Sequence, residues 1–173
     1  MTEIRPAQFP ADRDAVIDIF REYIGSVSVD LGFQDYETEF AALPGKYAPP
    51  DGRLLLAWRD DRAVACVALR KVDAQLCEMK RVYVRPEARG ERLGRRLVER
   101  ILQEARDAGY VRICLDVLPE FAAAQHIYTS FGFIETTPFT FNPVPGTKFL
   151  GRDLQPFLNP SAAAATLPPS APG

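Results

Sequence analysis

A chain of 173 residues, 47% hydrophobic and 25% charged, has the length of one domain and enough apolar content for one core. Its net charge of −2 and pI of about 5.5 argue against nucleic acid or an anionic membrane surface as the main partner, since both select a basic excess. No apolar run approaches the roughly 18 residues of a bilayer span, no basic-then-apolar leader opens the chain, and Cys66, Cys77 and Cys114 fall inside strand-like runs; a reducing, cytoplasmic setting is expected.

In chain order, a short extended start at residues 2–5 is followed by helical spacing over 12–27, where Val16, Phe20, Tyr23, Ile24 and Val27 share a face and Asp12 stands as N-cap. A second helix is predicted over 34–43, stopped by Pro44 and Gly45. The period then changes. Residues 53–58 and 63–70 are apolar and β-compatible around the polar turn Arg59-Asp60-Asp61-Arg62, and residues 76–84 continue the sheet until Pro86. Over 91–108, Leu93, Leu97, Val98, Ile101, Leu102 and Ala105 repeat in steps of three and four, and Gly109 supplies the stop. A strand at 111–118, a helix at 120–131 and two strands at 133–135 and 147–154 complete the order. Strand–helix–strand in this half implies parallel pairing of 76–84 with 111–118. The fold class is α/β, a mixed and mostly antiparallel sheet with flanking helices. Residues 1–158 are expected to form a single domain, and the Pro/Ala-rich 159–173 a flexible tail.

Charge is uneven. Residues 80–106 hold nine basic and four acidic side chains, so this stretch is +5 and the remainder −7, which suggests a site for a small polyanion. Within it, Val82-Tyr83-Val84-Arg85-Pro86 ends a strand, Arg89-Gly90-Glu91-Arg92-Leu93-Gly94-Arg95 makes a turn, and a long helix begins. Unpaired N–H groups and the helix dipole attract phosphate to such a start. Gly90 and Gly94 permit close backbone approach, while Arg89, Arg92, Arg95 and Arg96 add charge-assisted contacts. Surface arginines on a solvated helix start are the alternative.

From Cys77 to Glu135 the chain resembles the GNAT-type N-acetyltransferase superfamily. Arg89-Gly90-Glu91-Arg92-Leu93-Gly94 is similar to the family's Arg/Gln-x-x-Gly-x-Gly/Ala pattern at Arg89 and Gly94, and departs from it at Arg92, where the first family glycine belongs. Ala124-x-x-x-Tyr128-x-x-x-Gly132-Phe133 resembles the second signature, with Phe121 in place of the usual Asn. The resemblance implies a splayed parallel strand pair and acetyl-CoA as co-substrate, with no metal. It implies that CoA is bound by Val82, Tyr83, Val84, Arg89, Gly90, Arg92, Leu93, Gly94, Arg95 and Ala124. It also implies direct attack of an amine on the thioester in a ternary complex, with Tyr128 as acid toward the thiolate and Glu78 as the general base. Glu78 lies six residues before Val84 on the same strand, and the even spacing puts both on one face; a structural carboxylate paired with Lys80 or Arg81 is the competing reading. Phe33, Tyr36 and Tyr47 are the candidate acceptor-binding residues, the acceptor being a small-molecule or peptide amine and the protein a monomer or homodimer. Asp30, Asp35, Glu37 and Glu39, with no basic residue between them, read either as a solvated acidic helix face or as a field for a cationic acceptor. The departures at Arg92 and Phe121 leave a second function class open, a catalytically silent CoA-binding regulatory module. The lone His126 offers no Ser-His-Asp arrangement, no metal-ligand spacing is present, and both Gly-x-Gly-x-x-Gly and the P-loop are missing.

Overall fold

Seven strands and four helices account for most of residues 2–154, the part of the chain that the computed structural model describes. The expected tail lies outside the described residues. In order these are β1 (Thr2–Pro6), α1 (Arg13–Ser26), α2 (Tyr36–Ala41), β2 (Arg53–Arg59), β3 (Arg62–Lys71), β4 (Leu76–Val84), α3 (Leu93–Asp107), β5 (Arg112–Val117), α4 (Ala122–Ser130), β6 (Ile134–Glu135) and β7 (Lys148–Asp153). They form one sheet in the order β1-β2-β3-β4-β5-β7-β6. Every neighbouring pair is antiparallel except β4–β5, which is parallel. The mixed α/β fold read from the sequence is the fold observed.

The helices cover both faces of the sheet. On one, Leu97, Ile101 and Ala105 of α3 are fully buried against Leu55, Val67, Leu69 and Ile113. On the other, Val16, Ile19 and Phe20 of α1 pack with Leu56, Cys66 and Ala68. Each large side chain so buried contributes roughly 1.5–3 kcal/mol, and the three- and four-residue steps of the helices meet the two-residue alternation of the strands.

Several boundaries move. The predicted second helix is a 3₁₀ turn at Gly32–Gln34 followed by only six α-helical residues. Asp12 does not cap α1: its Oδ2 accepts from the Gln8 N–H at 2.7 Å and from Arg5 Nη1 at 3.0 Å, so the carboxylate ties the incoming chain. β5 and β7 run antiparallel, because the long 136–147 connection returns the chain along the far edge of β5.

Two features of β4 shape everything that follows. It pairs with β5 only over Leu76↔Arg112, Cys77↔Ile113 and Glu78↔Cys114; beyond them the strands diverge. And it carries a bulge. Ala68↔Lys80 is followed by Cys66↔Tyr83, so two steps on β3 match three on β4, and Arg81 takes φ +60. The extra residue reverses the alternation. Met79, Val82 and Val84 all pack on the α3 side, whereas Tyr83 joins the α1 side.

Candidate active site

A cleft of about 950 Å³ opens where β4 and β5 part. Met79 to Val84 border it from β4, Asp116 and Val117 from β5 with Leu118 just beyond, and Leu93 to Arg95 from the start of α3, with Ala124 and Tyr128 of α4 across from them. Past Glu78 the β4 edge facing β5 has no strand partner, so its N–H and C=O groups, apart from Val84 O, are available to an extended polar ligand. At the head of α3 the first intrahelical bond runs from Arg96 N to Arg92 O at 3.1 Å, which leaves the Leu93, Gly94 and Arg95 N–H groups pointing to the cleft end. An added Cβ at Gly94 meets only Ile127 Cδ1, at 3.6 Å, so the fold itself does not demand glycine there. The donor set and the free strand edge fit an acyl-CoA: N–H groups and Arg92 for its phosphates, the β4 edge for its amide arm.

The arginines of the turn divide their tasks. Arg89 folds back so that its Nε donates to Val84 O at 3.1 Å, and Arg95 donates from Nη1 to Ser130 Oγ at 2.9 Å while its guanidinium stacks 5.0 Å from the Phe131 ring. Arg92, where the family pattern has glycine, adopts φ +55 and is exposed. That left-handed backbone is the physical reason for a glycine at this position, and a side chain there costs about 1–2 kcal/mol. Arg92→Gly is therefore expected to raise the melting temperature by about 2–8 °C and to weaken acetyl-CoA binding roughly two- to tenfold through the lost charge-assisted contact. Paired thermal scans and calorimetry check this; a fall in stability would contradict it.

Tyr128 is 6% exposed on α4, its ring 5.9 Å from that of Phe133, and burial raises its phenol pKa well above the ordinary value, with Tyr23 and Asp116 adding to the rise. The hydroxyl makes no hydrogen bond among the described residues. It stays protonated at neutral pH and so remains able to donate. The three cysteines are buried and free; burial pushes Cys66 and Cys77 up to about 12 and Cys114 up as well, which holds them as unreactive thiols. Among the described residues no His, Cys, Asp and Glu group is placed to hold a metal ion, and no helix is long and apolar enough to cross a membrane.

A second cavity of about 440 Å³ lies on the α1/α2 side of the sheet. Phe33 and Tyr47 line it, as does Glu78. Tyr36 does not: it packs 5.7 Å from Phe40 in the core, because α2 turns that face inward. Glu78 is 1% exposed and accepts from Arg70 Nε at 2.6 Å, so its partner is neither Lys80 nor Arg81. The bulge at Arg81 also corrects the expected face: Glu78 and Val84 point to opposite sides of the sheet, Glu78 to the second cavity and Val84 to the α3 side.

The acidic stretch changes meaning as well. Asp30 Oδ1 accepts from the Gly32 N–H at 2.7 Å, Asp35 from Thr38 Oγ1 at 3.0 Å, and Glu37 forms a two-pronged pair with Arg21 at 2.6 and 3.0 Å. Glu39 accepts from the Tyr47 hydroxyl at 2.6 Å and from buried Arg81, Nε at 3.1 Å and Nη2 at 3.3 Å, while Gln34 Oε1 takes Arg81 Nη1 at 2.8 Å. Burial alone would lower the pKa of Arg81; Tyr47 and Glu39 outweigh it and raise it. Glu39 thus fastens α2 to the bulge and Glu37 fastens it to α1, so these two carboxylates are matched by arginines, while Asp30 and Asp35 accept only from neutral groups.

The two cavities meet. Gln34, Lys80 and Asp116 border both of them. Sequence reading missed all three, although a carboxylate inside the apolar run Ile113-Cys114-Leu115-Asp116-Val117-Leu118 is a signal in itself, since a lone charge within a buried strand is unusual. Asp116 Oδ2 accepts from Asn142 Nδ2 at 2.9 Å, and Asn142 is fixed in turn by the Val144 N–H, which donates to its Oδ1 at 3.0 Å. The Asn142-Pro143-Val144-Pro145-Gly146 loop thus holds one oxygen of Asp116.

The acetyltransferase (GNAT) family pattern matches residues 14–133. An uncharacterised N-acetyltransferase of Schizosaccharomyces pombe is 39% identical over 150 residues, covering 85% of this chain and 91% of that protein. Among solved structures, an acetyltransferase from Streptococcus agalactiae superposes with a TM-score of 0.74 at 22% identity, over 88% of this chain and 98% of that one. A putative acetyltransferase from Salmonella typhimurium, solved with its cofactor acetyl-CoA, gives 0.66 at 21% identity over 90% and 95%. These last two speak for the fold. With the family pattern spanning the cleft and a relative of 39% identity along most of its length, the chain belongs to the acetyltransferase (GNAT) family and is an acyl-CoA N-acyltransferase.

Proposed function

We propose that the protein transfers the acetyl group of acetyl-CoA to a primary amine that enters through the second cavity, by direct attack in a ternary complex. The observation that carries this is the meeting of the two cavities at Gln34, Lys80 and Asp116. A thioester seated in one cleft and an amine seated in the other come together there, so no covalent enzyme intermediate is needed.

Attack by the neutral amine puts negative charge on the thioester oxygen and positive charge on nitrogen, and collapse breaks the carbon–sulfur bond. Unpaired N–H groups on the free edge of β4 are suited to stabilise the oxygen. Tyr128, which burial keeps protonated, donates to the departing sulfur. For the amine's proton, two carboxylates compete. Glu78 is the residue that the family resemblance suggests, but Arg70 holds it and it borders only the second cavity. Asp116 borders the passage, is oriented by Asn142, and has no cation partner among the described residues. We assign proton acceptance to Asp116 and the fixing of Arg70 to Glu78.

The test compares Asp116→Asn with Glu78→Gln over pH. Asp116→Asn is expected to lower kcat/KM for the amine roughly ten- to hundred-fold near neutrality. The deficit should shrink as pH rises and the amine deprotonates unaided. Glu78→Gln should keep the wild-type pH profile. A pH profile altered by Glu78→Gln and not by Asp116→Asn would return the role to Glu78.

A further inference from the structure

We propose that the acceptor carries a carboxylate beside its amine, and that Lys80, aided by Arg70, binds that carboxylate at the passage between the two cavities. This rests on the acyltransferase reading and names the substrate class for it: a small amino acid rather than a polyamine or an uncharged amine.

Lys80 borders both cavities, is half-buried, and forms no ion pair or hydrogen bond among the described residues. Most of the charged groups around it are committed, and Lys46, which also lines the second cavity, is solvent-exposed. Arg81 is held by Glu39 and Gln34, and Glu78 by Arg70. Arg70 binds Glu78 through Nε alone, so its terminal Nη groups stay without a partner among the described residues, at the wall of the same cavity. What remains at the passage is one cation, Lys80, and one anion, Asp116.

Their placement follows from the strands. Glu78 and Cys114 are the last parallel pair, and Lys80 and Asp116 stand two residues further along each strand, hence on the same face. The bulge begins only after Lys80, so the alternation is still intact at that point. An acceptor whose ammonium sits against Asp116 and whose carboxylate reaches Lys80 satisfies both charges. A polyamine brings a second cation toward Lys80 and Arg70, and a neutral amine leaves Lys80 unpaired in a partly desolvated passage, where an uncompensated charge is costly. Burial lowers the pKa of Lys80, with Glu78 opposing that fall, which is the mark of a cation short of a counter-charge. A cavity of about 440 Å³ with Phe33 and Phe141 on its wall suits a compact acceptor with an apolar side chain.

The experiment measures CoA release with three matched sets: L-amino acids, their carboxamides, and the corresponding decarboxylated amines. With the wild type, at least one amino acid should exceed its carboxamide roughly ten- to hundred-fold in kcat/KM, the range of a charge-assisted contact. Lys80→Gln should bring that ratio close to one, and Lys80→Arg should keep it well above one. Unchanged acetyl-CoA KM and melting temperature in both variants would show that the cleft and the fold are intact. Preference for the amides or decarboxylated amines, or a ratio that Lys80→Gln leaves as in the wild type, overturns the inference while the acyltransferase reading stands. No CoA release with any of the three sets overturns both.

Discussion

Tyr128→Phe is expected to lower kcat roughly ten- to ten-thousand-fold while leaving the KM for acetyl-CoA nearly unchanged. The phenol ring packs against Phe133 at 5.9 Å, and phenylalanine keeps that contact. The hydroxyl has no hydrogen bond among the described residues, so its removal strands no partner. What the variant loses is the donor facing the cleft, and the loss is felt only when sulfur becomes anionic, which places the effect in kcat and kcat/KM together. The direction of the pKa fixes a second expectation. Burial raises the phenol above its ordinary value of 10.0, so the protonated, competent form persists through neutral and mildly alkaline pH, and the wild-type rate should show no decline from this group below about pH 10. Stopped-flow or steady-state CoA release measures both. An unchanged kcat would reduce Tyr128 to a packing residue.

Gly94→Leu is expected to weaken acetyl-CoA binding at least a thousand-fold, about 4 kcal/mol, with the fold intact. Gly94 sits in the first turn of α3 and borders the cleft. A Cβ there has only Ile127 Cδ1 as neighbour, at an ordinary 3.6 Å, so the helix accepts a side chain, and replacing glycine within a helix adds about 0.5–1 kcal/mol of helix preference. The remaining atoms of leucine extend into the space in front of the unpaired N–H groups, which a phosphate must approach to bond. Calorimetry against acetyl-CoA and a thermal scan together separate a blocked site from a damaged fold. Wild-type affinity in a stable Gly94→Leu protein would remove the α3 turn from the binding site.

The two variants address different halves of one device. In the proposed mechanism Gly94 is assigned to the cofactor's seat and should act on affinity alone, while Tyr128 is assigned to the reacting centre and should act on turnover alone. Asp116 and Lys80, on the acceptor side, are expected to act on the amine's kinetics and to leave acetyl-CoA untouched.

What the sequence determined by itself is local. The steps of three and four along 91–108 give α3 because apolar residues at that spacing align on one side of a helix, and its fully buried residues are among those expected. Short apolar, β-compatible runs around a polar turn give β2 and β3, and the run ended by Pro86 gives β4, within a residue or two of their predicted limits. The strand–turn–helix around Arg89 to Gly94 was legible because a phosphate seat depends on consecutive residues, and even the departure at Arg92 could be located, though only φ +55 tells why glycine is the usual occupant. What the tertiary structure decided is which groups meet across the chain. Glu78 changed face relative to Val84 because one extra residue at Arg81 reverses a period of two, and no composition rule announces a bulge. The acidic stretch became a set of clasps, because Arg21 and Arg81 arrive from other elements, and a carboxylate's effect depends on its partner more than on its own position. Asp116 and Lys80 became neighbours of the passage because β4 and β5 stop pairing after Glu78, and a charge acquires function there only when two strands distant in sequence open a gap between them.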